Sequence, residues 1–169
     1  DNNDRSVAVA PDGSMVVYTS ASIPMYGGSA LPTRLFARAL DQLEPRLLAG
    51  PGYVREPFFS PDSAWVAFNG PVVTRTLQKV SATGGPPVLI TMLDGNPRGA
   101  TWGPDDTIVY ATDNTATGLQ RVPASGGPTT TLTHPDAGKG ERDHLWPHFL
   151  PGGRVLLFTI APLGAIENA

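Results

Sequence analysis

The sequence predicts an all-β fold, a β-propeller fragment of about three and a half four-stranded antiparallel blades. Two observations carry this. First, four short cassettes recur: Ala10-Pro11-Asp12-Gly13, Ser60-Pro61-Asp62-Ser63, Gly103-Pro104-Asp105-Asp106 and Leu150-Pro151-Gly152-Gly153. Their prolines step by 50, 43 and 47 residues. Second, independent landmarks keep the same period. Leu35-Phe36-Ala37-Arg38 returns as Leu77-Gln78-Lys79-Val80 and as Leu119-Gln120-Arg121-Val122, 42 residues apart each time. Ser81-Ala82-Thr83-Gly84-Gly85-Pro86 returns as Pro123-Ala124-Ser125-Gly126-Gly127-Pro128, again 42 residues on. A period of roughly 40–50 residues built from short apolar runs marks a propeller array.

Each period reads as four strands, A to D. In the second, Arg55 to Ser60 is strand A, Ala64 to Phe68 is B, Thr76 to Val80 is C and Pro87 to Ile90 is D. The A–B turn has a mechanism. Proline presets φ, aspartate bonds the local backbone, and glycine tolerates the backbone path out of the turn. Val, Ile, Phe, Tyr and Trp fill the B strands. Runs such as Met15-Val16-Val17-Tyr18 and Val155-Leu156-Leu157-Phe158 are apolar on consecutive residues, as sheets packed on both faces require. No sustained 3.6-residue stripe occurs, so no long helix is expected. The blades fall at about 5–50, 53–93 and 97–134, with a half blade at about 144–161, all in one partial propeller over 1–169.

At these residues the chain resembles the WD-like, Pro-Asp-type propeller repeats of TolB-like proteins. Phe59-Ser60-Pro61-Asp62 through Val66-Ala67-Phe68 carries the match, with the Leu-x-x-Val and Gly-Gly-Pro segments. Asn96-Pro97-Arg98-Gly99-Ala100, Gly140-Glu141-Arg142 and Phe149-Leu150-Pro151-Gly152-Gly153 resemble propeller regions attached to bacterial serine/threonine kinases. The resemblance implies a binding or sensing module, and favours a periplasmic or extracytoplasmic place. It does not imply kinase activity, because no nucleotide-binding or catalytic-loop residues occur.

Composition agrees with a turn-rich globular chain. There are 19 Gly and 18 Pro in 169 residues, without a short period, and 40% of residues are hydrophobic. Net charge is −3, so no bulk basicity points to nucleic acid. Cysteine is absent, which excludes disulfides and thiolate metal sites.

Three and a half blades cannot close a ring alone, and propellers remove sheet edges by closing. The open first and fourth blades are therefore expected to recruit other chains, with self-association through Val155 to Phe158 or the exposed face of blade one. Loop lengths identify the working face. From the end of B to the start of C is 17 residues in blade one, Tyr18 to Leu35, against 9 in each of the next two. The surplus lies within Ser20 to Ser29 and includes Met25 and Tyr26. A second insertion, His134 to Asp143, is a D–A connection and holds Arg142 and Asp143. Both insertions fall on one face, where recognition on a rigid scaffold tends to lie.

Six residues before each turn proline stand Arg5, Arg55 and Arg98; the fourth place is Leu145, flanked by His144. Guanidinium groups opening the innermost strands would ring the channel mouth and bind carboxylate or phosphate. The alternative is internal pairing of each arginine with Glu56 or Asp94. The search for catalysis is nearly empty. No Gly-x-Ser-x-Gly elbow and no phosphate-cradling loop occurs. If His144 to His148 is extended, the two imidazoles leave one face about 13 Å apart, too far to share an ion held by bonds of about 2.1 Å. No metal or cofactor is expected. Two readings stand: a non-catalytic binding module for a protein or small anion at the B–C/D–A loop face, or the propeller part of a larger prolyl-oligopeptidase-like hydrolase or propeller lyase.

Overall fold

The four cassettes become four hairpin turns that close in the same way. In each, an N–H closes back three residues: Gly13 to Ala10, Ser63 to Ser60, Asp106 to Gly103 and Gly153 to Leu150, at 2.9–3.2 Å. The closing residue is left-handed every time, with φ of 72°, 62°, 59° and 65°. The third loop has three residues between Gly103 and Thr107, the other three have four, and the fourth adds a left-handed Gly152 at φ 90°. Aspartate adds a second lock where present. Asp12, Asp62 and Asp105 each accept from the backbone two residues on, at 2.9, 3.0 and 3.3 Å.

The computed structural model describes residues 7–20, 33–52, 54–71 and 73–164. Blade 1 holds β1 (Val7–Val9), β2 (Met15–Thr19), β3 (Thr33–Ala39) and β4 (Arg46–Gly52). Blade 2 holds β5 (Arg55–Phe59), β6 (Trp65–Asn69), β7 (Thr76–Ser81) and β8 (Val88–Met92). Blade 3 holds β9 (Pro97–Trp102), β10 (Thr107–Thr112), β11 (Gln120–Pro123) and β12 (Thr130–Thr131). A last sheet pairs β13 (Glu141–Phe149) with β14 (Leu156–Pro162). Strands adjacent in sequence are adjacent in each sheet. Among the described residues the helical content is one turn of 3-10 helix, Ala137–Lys139.

Two compact units divide the chain, meeting at Leu89 and Ile90. In the first, blades 1 and 2 share a core. Val17, Leu35 and Ala37 pack with Val66, Phe68 and Val80. Arg46 donates to the Ala82 carbonyl at 2.9 Å, tying the two sheets. In the second unit, Val109, Ala111 and Leu119 of blade 3 pack against Leu145, Phe149 and Leu156 of the last sheet. The consecutive apolar runs of β6 and β10 are buried on both faces, as blade-to-blade packing demands.

The A strands carry a feature the cassettes do not announce. Five residues before the turn proline, the backbone goes left-handed: Glu56 at φ 49°, Gly99 at 93° and Trp146 at 55°. At each of these points the ladder with the B strand shifts register. An extra residue is accommodated there and alternation is reversed beyond it. At Gly99 the geometry also needs the missing side chain, because a Cβ would lie 2.8 Å from the Trp146 ring.

The last sheet differs from expectation at its ends. Strand A begins at Glu141, ahead of the expected start near His144, and strand B runs Leu156–Pro162. Gly152 and Gly153 are both left-handed, and the ladder opens at Phe149 and Leu156, the same offset from the turn proline as Phe59 and Val66 in blade 2.

Candidate functional site

The D–A connection after β12 is an ordered structure of its own. The Asp136 carboxylate caps the 3-10 turn by accepting from Gly138 N–H at 3.0 Å, and it pairs with Lys139 at 3.0 Å. That lysine, first among the causes, holds the Asp136 carboxyl below its usual range. Gly140, left-handed at φ 79°, ends the turn and starts β13. Asp136 and Glu141 then bond reciprocally: Glu141 N–H to the Asp136 carbonyl at 3.1 Å, and Asp136 N–H to the Glu141 carboxylate at 2.9 Å. The second bond is the main reason the Glu141 carboxyl sits below its usual range, with His144 next.

This connection helps form an open groove of about 660 Å³ within the second unit. Pro135 and Ala137 of the insertion line one part, and Glu141 and Arg142 of β13 another. Thr115, from the B–C connection of blade 3, and Leu163 and Gly164, just past β14, complete the lining. Leu163 is held there by its N–H donating to the Gly140 carbonyl at 2.7 Å. B–C and D–A connections thus meet at one groove.

His144 stands behind the groove. It is 5% exposed. Its Nδ1 lies 2.8 Å from the Thr133 hydroxyl and its Nε2 3.1 Å from Glu141. The Phe158 ring of β14 packs on it at 5.0 Å. Asp143 is also buried, accepts from the His144 N–H at 2.8 Å, and is pushed above the usual carboxylate range by burial. Arg142 is exposed and reaches the groove. His144 and His148 do not share a face. The bulge at Trp146 reverses alternation, leaving His144 buried and His148 exposed. The strand from His144 to His148 is therefore bulged and not regularly extended.

Arg5, Met25 and Tyr26, with nearly all of the blade-one insertion, lie outside the described residues. Arg55 opens β5 in the first unit, and Arg98 is the second residue of β9 in the other. Both are half-buried, and both have interaction partners. Glu56 is buried and accepts from Asn69 at 2.9 Å. Asp94 accepts from four neutral donors, Thr112, Asn114, Thr117 and Gln120, at 2.8–2.9 Å. Burial opposes its ionisation, but the four donors prevail and hold the carboxyl low. That cluster was not legible in the sequence, since its donors stand 18–26 residues away. Among the described residues no group of three His, Asp or Glu side chains is placed to hold a metal ion.

The repeat of four-stranded antiparallel sheets finds a counterpart among solved structures. A serine-to-alanine mutant of puromycin hydrolase, complexed with PGG, superposes with a TM-score of 0.69 at 16% identity. The fold is a β-propeller fragment. The match covers 96% of this chain and 26% of that one, so the chain spans about a quarter of that structure's length. At this identity the likeness concerns the fold alone. No family model matches the chain, and no curated protein does. No described helix is long and apolar enough to cross a membrane.

Proposed function

We propose that the chain is a non-catalytic recognition module, a propeller platform of the TolB-like, WD-like kind. It takes a small anionic ligand or a segment of a partner protein on the B–C/D–A loop face. The observation that carries this reading is the groove of about 660 Å³. Its volume is that of a small-ligand site. Most of its lining comes from connections, where rigid scaffolds place recognition. Arg142 offers a planar guanidinium suited to carboxylate or phosphate. Arg55 and Arg98, each at the start of an A strand, are secondary candidates within their own units. Titration with inorganic phosphate and small dicarboxylates, followed by amide NMR, tests this. Shifts should cluster at Thr115, Ala137, Arg142 and Gly164, weaken with salt, and vanish in Arg142→Gln. Shifts scattered over the surface, or unchanged in that variant, would remove the reading.

A second reading rests on the structural neighbour, which is named as a hydrolase. In it, the chain is the propeller of a larger enzyme and the chemistry belongs to another domain. A nucleophile elbow encoded in the same native gene would decide for it.

A further inference from the structure

We propose that His144 is a proton-controlled latch on the groove: on gaining a proton it draws the D–A insertion more tightly onto β13. The contacts are compatible with a neutral ring in one tautomer. An ionised carboxylate only accepts, so Nε2 carries the hydrogen toward Glu141 and Nδ1 is a lone pair. The Thr133 hydroxyl then donates to Nδ1 at 2.8 Å, while its oxygen accepts from Leu119 N–H at 2.9 Å. One directed chain runs from Leu119 through Thr133 and His144 to Glu141, where Asp136 N–H meets it. It ties the C strand of blade 3, the exit of its D strand, β13 and the insertion.

Protonation can be accommodated without a broken bond. Nδ1 becomes a donor, and the Thr133 oxygen has two lone pairs for Leu119 and the ring. The Nε2 bond to Glu141 becomes charge-assisted, and such bonds are shorter and stronger. The groups facing the ring suit an imidazolium. Glu141 and Asp143 are the carboxylates on its own strand, the Asp143 oxygen 2.8 Å from the His144 backbone nitrogen. β14 contributes the Phe158 ring, and the exit of β12 the Thr133 hydroxyl. In the insertion, Lys139 is engaged by Asp136. Gly118 closes the last side. A Cβ there would stand 2.6 Å from the Thr133 hydroxyl and 2.9 Å from Nδ1.

The latch does not require a ligand; its coupling to binding rests on the groove reading above. The test uses the whole chain. Imidazole resonances are followed from pH 4.5 to 8.5, with amide-exchange protection factors for Lys139, Gly140 and Glu141, corrected for intrinsic rates. Protection should be about fivefold higher at pH 5.5 than at 7.5, the size of a neutral bond turned charge-assisted. His144→Gln keeps one donor and one acceptor but cannot titrate, so its profile should be flat. A wild-type ring that does not titrate overturns the proposal, whatever the variant does. So does the same pH profile in His144→Gln. Phosphate affinity is measured in parallel. If the latch profile appears without phosphate binding, the latch stands and the groove reading falls.

Discussion

Asp143 is a carboxylate placed where burial opposes its charge, and its raised proton affinity has a sign to work out. A folded state that holds the proton more tightly than the unfolded chain loses stability as pH rises through that affinity. Asp143 therefore contributes most below the ordinary aspartate range and least near neutrality. Asp143→Asn keeps an oxygen for the His144 N–H and removes the charge. We expect an unchanged or higher melting temperature at pH 7, with a smaller fall in stability between pH 4 and 7. Glu141 behaves oppositely. Its carboxyl is depressed, so its contribution is present above the usual glutamate range and lost as pH falls through the folded value. Acid below about pH 4 should release the insertion before the blades unfold, seen as early loss of Gly140 and Glu141 amide protection. Gly99→Ala meets both a left-handed φ of 93° and the Trp146 ring at 2.8 Å. It should cost about 2–4 kcal/mol by chemical denaturation, from conformational strain plus overpacking.

At the level of elements, the hairpin turns offer a controlled comparison. Gly13 and Gly153 have nearly the same φ, 72° and 65°, but only Gly153 is crowded, its missing Cβ overlapping the Pro104 ring. Alanine at Gly13 should cost about 1–2 kcal/mol, the left-handed penalty alone. Alanine at Gly153 should cost distinctly more and loosen the packing of the last sheet on blade 3. Equal losses would show that the Pro104 contact yields freely. The turns were legible in the sequence because proline, aspartate and glycine act locally. The A-strand bulges were not, since Glu, Gly and Trp share no chemistry, and only Gly99 hinted at them. The Thr133–His144–Glu141 chain was equally hidden: its members are ordinary residue types, and nothing local reports that a hydroxyl 11 positions away will face the ring. The D–A insertion was legible, because loop length alone marked the connection that lines the groove.

For the molecule as a whole, the exposed surface of β14 bears on behaviour in solution. Among the described residues β14 pairs with β13 alone; it carries no charged residue and exposes Leu157, Phe158 and Ile160. Edges of this kind lack the usual defences against pairing. The 169-residue chain should self-associate at high micromolar concentration, and Leu157→Lys should return it to the monomer mass in light scattering. A monomeric wild type at that concentration would count against an adhesive edge. The repeated bulge bears on how such a chain changes over generations. It occupies the same place in three sheets while the side chain there is a carboxylate, a hydrogen or an indole, so the backbone path is dictated by position rather than by the side chain. Parity along an A strand is inverted midway as a consequence. Mutations that look alike by two-residue spacing fall on opposite faces, one into the core and one into solvent. Mapping tolerance along these strands from a simple alternating rule would misplace half of each strand, and a blade-grafting design would have to carry the extra residue with it.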